Sequence, residues 1–190
     1  MSRPRGILLA AGASSRFGAN KLLHPLPDGT PIAIASARNL LAALPGSLAV
    51  VRPGSEALEK LLLEAGCEVT VCPRAEEGMG LSLAHAIAAS ANVSGWVVAL
   101  ADMPFLRPDT IGAVATRLEA GALIAAPALR GGRGHPVGLS AALREDLLAL
   151  QGDEGARSVL KRHAASIQLV EVDDAGIHRD VDTPGDLNGV

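Results

Sequence analysis

The chain has 190 residues, enough for one domain that buries roughly 70% of the area its extended form would expose. Hydrophobic residues make up 48% but aromatics only 2%, so the core must be built from Leu, Val, Ile and Ala, with Trp96, Phe17 and Phe105 as isolated large pieces. The net charge of −3 without a basic stripe argues against a binder of duplex nucleic acid; the shortage of aromatics argues against base stacking, and the strand-sized apolar runs against a membrane span.

Cys67 and Cys72 form no CxxC pair and read as core or surface residues, not as a disulfide or zinc site. With no secretory leader ahead of Pro4, the expected setting is the reducing cytoplasm. GILLAA (6–11) is a short apolar run ending at Gly12, as a buried first strand does. PIAIASARNLLAAL (31–44) predicts a helix with Pro31 in its first turn, stopped by Pro45–Gly46. SLAVVR (47–52) reads as the second strand, SEALEKLLLEAG (55–66) as an amphipathic helix closed by Gly66, and CEVTVC (67–72) as a third strand with period-two alternation. GMGLSLAHAIAASA (78–91) is a loop feeding a helix, GWVVALAD (95–102) a strand, RPDTIGAVATRLEAG (107–121) a helix and ALIAAPAL (122–129) a strand.

Beyond that the alternation loosens. GGRGHPVGLS (131–140) is a glycine-rich loop running into a short strand. Short helices follow at 141–150 and 156–164, a strand at 166–172, and HRDVDTPGDL (178–187) closes the chain. The expected fold is α/β, a single three-layer domain over residues 1–190 with a mostly parallel central sheet.

The turn after the first strand, AAGASSRFGANK (10–21), matches neither familiar nucleotide loop. A dinucleotide fingerprint needs G-x-G-x-x-G and an acidic residue after the second strand; here Ala13 and Ser14 follow Gly12, and SLAVVR ends in Arg52. A Walker loop needs four residues between its glycines and then Lys-Ser/Thr; five separate Gly12 from Gly18, and Leu22 follows Lys21. The chemistry of anion binding survives both failures. Small residues expose successive N–H groups, Gly12 allows close approach, and Arg16 and Lys21 supply a donor fork and a mobile charge. On spacing alone a solvated surface turn is an equal alternative.

Two carboxylate segments bear on that choice. Asp102 ends a hydrophobic strand, at the sheet edge where open α/β proteins bind ligands, and can ligate Mg²⁺ or simply cap a turn. Of Asp180 and Asp182 in the closing segment, one is expected to reach the site; Asp182 can alternatively cap the terminal helical turn. Two carboxylates with Arg16 and Lys21 suit metal-assisted phosphoryl transfer, and no protein nucleophile is marked.

Taken together, LAAGASSRFGANKLL, ADMPFL and VDTPGDL resemble the ordered motifs of the MobA-like nucleotidyltransferases across essentially the whole chain, with Leu9, Ala10, Ala11, Gly12, Ser14, Arg16, Gly18 and Lys21 all matching the opening pattern. AAG in the first loop, EGMGLSL (77–83), GRGHPVGLS (132–140) and GDEGARSVL (152–160) look closest to the molybdenum cofactor cytidylyltransferases of that family. The resemblance implies transfer of CMP from CTP to the molybdopterin cofactor with Mg²⁺ as cofactor. A molybdoenzyme apoprotein or its chaperone is an implied further partner, and no nucleic acid or membrane is involved. It implies that Ala10, Ala11, Gly12, Ser14, Arg16 and Lys21 hold the nucleotide and that Gly78 and Ser82 flank base and ribose. Asp102 and Asp182 then bind the metal, with Arg16, Lys21 and Asp102 as the catalytic set, while His135 and Pro136 shape the acceptor side. Arg157 is either an acceptor contact or a helix-surface cation, and His85 has no assigned role. Met103 departs from the glutamine of several cytidylyl members. The alternatives are guanylyl or other nucleotidyl transfer to the same cofactor or a small phosphorylated acceptor, and a non-catalytic nucleotide-binding maturation factor.

Overall fold

A computed structural model describes residues 3–12, 20–90 and 92–187. Its centre is an eight-stranded sheet: β1 (Arg5–Leu9), β2 (Leu48–Val51), β3 (Glu68–Val71), β4 (Gly95–Leu100), β5 (Ile124–Leu129), β6 (Gly132–Arg133), β7 (Val137–Ser140) and β8 (Ile167–Glu171). The order is β3-β2-β1-β4-β7-β5, with β8 along the far edge of β5 and the short β6 pairing the end of β5 on the β7 side. The ladders among β3, β2, β1 and β4 are parallel, as is β5 with β8, whereas β7 runs antiparallel to both of its neighbours. The sheet is therefore mixed. The glycine-rich 131–140 stretch turns back on β5 as a hairpin through β6 and then inserts β7 between β5 and β4.

Helices α1 (Ile32–Ala43), α2 (Glu56–Glu64), α3 (Met79–Ala89), α4 (Pro108–Glu119), α5 (Arg144–Leu148) and α6 (Arg157–Arg162) fall where the sequence periodicity predicts them. Successive strand residues face opposite sides, and this alternation divides the core. Leu8, Val97 and Ala99 pack with Leu40, Leu58, Ile111 and Val114 on the α1, α2 and α4 side. Ile7, Trp96 and Val98 pack with Leu83, Ile87, Leu147 and Val159 on the α3, α5 and α6 side. The result is a three-layer α/β architecture. Each core is almost wholly aliphatic, as the low aromatic content requires.

Two devices aim this frame at the carboxyl edge of β1 and β4. Ala10 N–H donates to the Val50 carbonyl at 2.9 Å, and Ala101 N–H to that of Leu9 at 3.1 Å, so both ladders run past the assigned strand ends. From α1, Ser36 Oγ donates to the Ala101 carbonyl and Asn39 Nδ2 to the Pro104 carbonyl, each at 2.9 Å, bracing the Asp102–Pro104 turn from below.

Candidate active site

Three distant segments meet at that edge. Asp102 follows the last residues of β4, and its carbonyl accepts the Val181 N–H at 2.8 Å. Val181 is fully buried, so the closing segment is anchored beside Asp102. Asp182 follows Val181 and is fixed from behind: Asp186 Oδ2 accepts the N–H groups of Asp182 (3.0 Å) and Thr183 (2.7 Å) and the Thr183 hydroxyl (3.0 Å). These bonds from Thr183 and Asp182 hold the Asp186 carboxyl below the usual carboxylate range. Asp186 therefore does the capping that the sequence alone allowed for Asp182, leaving the Asp182 carboxylate for the site.

Lys21 opens a single 3₁₀ turn, Lys21–Leu23, anchored by buried Leu22, whose N–H donates to Asn20 Oδ1 at 3.3 Å. Its ammonium donates to Asp102 Oδ2 and to Asp182 Oδ1, both at 2.9 Å. The Lys21 side chain is 13% exposed, that of Asp102 23% and that of Asp182 50%, so the cluster is reached by solvent and is not part of the core. Burial works to lower the Lys21 pKa, but the hydrogen bonds and charges of Asp102 and Asp182 outweigh it and raise it above 10.5. The amine stays protonated, and the three charges sum to −1.

Two polar atoms of this site, Asp102 Oδ1 and His135 Nδ1, are buried without a hydrogen-bond partner among the described residues. Such atoms are uncommon unless a ligand or water serves them. His135 N–H donates to the Ile177 carbonyl at 3.0 Å, and a cis peptide joins it to Pro136. Burial lowers the imidazole pKa; nearby Arg133 and His178 act in the same sense, against Asp102 and Asp180. Of the closing pair, Asp182 bonds Lys21 and no such bond joins Asp180 among the described residues, while the charge of Asp180 acts on His135.

Ala10 and Ala11 are buried just past β1, while Gly12 is exposed and a Cβ there would meet nothing within 4 Å among the described residues. Ser14 and Arg16 lie outside the described residues. Gly78 and Ser82 are placed in an intramolecular joint. Gly78 has φ +126°, and a Cβ on it would stand 2.3 Å from the Gly152 carbonyl group. Gly80 N–H donates to that carbonyl oxygen at 2.8 Å, capping α3 from a remote turn, and the buried Ser82 hydroxyl donates to the Gly78 carbonyl at 3.4 Å. Met103 turns into the core, and Arg157 is exposed at the start of α6.

Sequence reasoning missed one structural carboxylate. Asp174, 3% exposed, accepts the Arg107 N–H (3.0 Å), the Thr110 hydroxyl (2.7 Å) and the Gly176 N–H (2.9 Å), tying the approach to Val181 onto the start of α4. Its signal was the DDAG stretch beside the closing motif: Gly176 passes so close to the Phe105 carbonyl that a Cβ would be 2.2 Å from it. Among the described residues no three His, Cys, Asp or Glu side chains cluster as a self-sufficient metal cage. Asp102 with its unpartnered oxygen and Asp182 fit the needs of Mg²⁺, which takes one or two carboxylates and completes its shell with phosphates and water.

The chain resembles known proteins along nearly its full length. PucB, a purine catabolism protein of Bacillus subtilis (strain 168), is 33% identical over 97% of this chain and 94% of its own. Nicotine blue oxidoreductase of Paenarthrobacter nicotinovorans is 29% identical over 94% of this chain and 91% of its own. Among solved structures, Rv0371c from Mycobacterium tuberculosis H37Rv superposes with a TM-score of 0.83 at 27% identity, covering 97% of this chain and 95% of that one. A manganese complex of Rv0371c superposes at 0.82 with 24% identity over the whole of both chains. The model of the MobA-like NTP transferase domain matches residues 6–167, which take in the first loop, Lys21 and Asp102, and the chain belongs to that family.

Proposed function

We propose that this protein transfers CMP from CTP to the terminal phosphate of the molybdopterin cofactor, releasing pyrophosphate. The observation that carries the reading is the junction of Lys21, Asp102 and Asp182 at the carboxyl edge of the sheet, drawn from three segments distant in sequence. Lys21, with Arg16 and the N–H groups of the first loop, would grip the triphosphate. Asp102 and Asp182 would hold Mg²⁺, which supplies positive charge to the phosphate oxygens. An oxygen of the acceptor phosphate bonds to the α-phosphorus in line as the bond to the β-phosphate oxygen breaks, so the leaving electron pair departs on pyrophosphate. His135 and Pro136 would line the acceptor side. The manganese complex of Rv0371c supports a divalent cation here; AAG in the first loop, with the GRGHP and GDEGAR segments, supports CTP and the cofactor.

Pyrophosphate release, followed with each of the four ribonucleoside triphosphates, MgCl₂ and molybdopterin cofactor, tests this reading. It predicts release with CTP that depends on the cofactor. Faster release with GTP would reassign the base, and nucleotide binding without release would make the protein a maturation factor. The name of the second relative is that of an oxidoreductase. The first turn has no G-x-G-x-x-G and β2 runs into Arg52, so the dinucleotide fingerprint is missing. NADH consumption serves as the control.

A further inference from the structure

Lys21 occupies a point from which a single cation touches both carboxylates: its Nζ stands 2.9 Å from Asp102 Oδ2 and 2.9 Å from Asp182 Oδ1. An ammonium there and a divalent ion there exclude each other. Building on the nucleotidyl-transfer reading, we infer that Lys21 is a built-in placeholder for the divalent cation, holding the carboxylates together in the nucleotide-free protein and leaving when nucleotide and metal arrive together.

The anchoring of Lys21 suits such an exchange. Leu22 is in the core and Lys21's own carbonyl accepts the His24 N–H at 3.1 Å, so the backbone is pinned. The charge rides on a four-carbon stem that pivots without disturbing that anchor. The residue follows the first loop directly in sequence, and a triphosphate held there would offer the ammonium new anionic partners. Asp102 Oδ1 shows that the seat is not saturated by lysine: an ammonium is already bonded to Oδ2, yet the other oxygen is buried without a partner among the described residues. A point charge of +1 leaves the two carboxylates with a residual −1, which a +2 ion in its place would cancel.

Metal alone must therefore expel Lys21 into water with nothing to receive it, and should bind weakly. Triphosphate alone would draw Lys21 away and leave two bare carboxylates beside its own negative charge, and should also bind weakly. Both together satisfy every group. The two ligands are thus positively coupled, and the coupling must be equal in both directions. A lysine that served only as a phosphate ligand from a resting position in solvent would produce no such penalty on metal binding.

The test is a titration of the protein with MnCl₂, reading free Mn²⁺ by electron paramagnetic resonance in the absence of nucleotide. Lys21→Met is expected to bind Mn²⁺ at least tenfold tighter than wild type, and Asp182→Asn in that background to lose the gain. Lys21→Arg, which keeps a cation in the seat, is expected to stay within about threefold of wild type. Equal or weaker Mn²⁺ binding by a folded Lys21→Met protein overturns the inference. Wild type alone gives a second test that needs no variant. Addition of a non-hydrolysable CTP analogue should raise the affinity of the protein for Mn²⁺ at least tenfold, after subtraction of the Mn²⁺ held by free analogue; independent binding overturns the inference. These readings do not depend on turnover. Loss of the metal effect with cofactor-dependent pyrophosphate release intact removes only the placeholder; absence of release removes the transferase reading.

Discussion

Asp102→Asn separates the contribution of this carboxylate to folding from its contribution to chemistry. The substitution keeps the side-chain shape, and the Asn oxygen can still accept from Lys21, which also retains Asp182 at 2.9 Å. The lost term is the charge on a side chain that is 23% exposed and already shares its partner with a half-exposed carboxylate. Screened pairs of this kind are worth about 1 kcal/mol or less, which for a chain of this length moves the melting temperature by roughly 2–4 °C. The same charge, aimed at a triphosphate and its counter-ion, acts where charge develops in the transition state. Its removal is expected to cost about 10²–10³-fold in turnover, equivalent to ~2.7–4 kcal/mol. Thermal melts by circular dichroism and pyrophosphate release on the same preparation measure both numbers. Turnover within about fivefold of wild type, or a loss of stability as large as the loss of rate, would refute the assignment of Asp102 to the chemistry.

Three further outcomes probe the supports. Gly78→Ala combines a left-handed φ of +126° with a Cβ 2.3 Å from the Gly152 carbonyl group; backbone strain and displacement of the 151–155 turn should together cost about 3 kcal/mol in urea unfolding, and a cost below about 1 kcal/mol would contradict the joint. Asp174→Ala leaves the N–H groups of Arg107 and Gly176 and the Thr110 hydroxyl without their acceptor; the expected destabilisation is about 3 kcal/mol, and an unchanged denaturation midpoint would count against it. His135 is held below its ordinary 6.5 chiefly by burial, so the unfolded chain takes up this proton more readily than the folded one. Its contribution to stability is complete above pH 6.5 and declines as pH falls from 6.5 towards the depressed folded value. Stability curves of wild type and His135→Asn should therefore diverge in slope only in that window; parallel curves would show that the imidazole titrates normally.

Much of the frame was readable because it rests on local rules. The apolar runs at 6–11 and 95–102 became the central parallel strands, and the helices ended near Gly66 and Gly121 as expected. The insertion of β7 between β4 and β5 was not readable, because a four-residue strand carries no sign of the direction in which it pairs. The site divides in the same way. Asp102 and Lys21 stood out, being polar residues at the ends of apolar or small-residue runs. The exact partnership of Lys21 with both carboxylates depended on the Val181–Asp102 backbone bond, a long-range contact that no local pattern encodes. The glycines at 78, 80 and 152 were visible in the sequence, but their mutual docking was not, since each permits a close approach without naming the segment that approaches.

The central question for this protein is whether its cluster of one ammonium and two carboxylates joins a nucleotide to an acceptor. The direct measurement is mass spectrometry of molybdopterin cofactor after incubation with the protein, CTP and MgCl₂. The predicted result is cofactor heavier by one CMP unit, in amounts matching the pyrophosphate released and lost in Asp102→Asn. Cofactor recovered unchanged, from a folded protein that binds CTP, would contradict it.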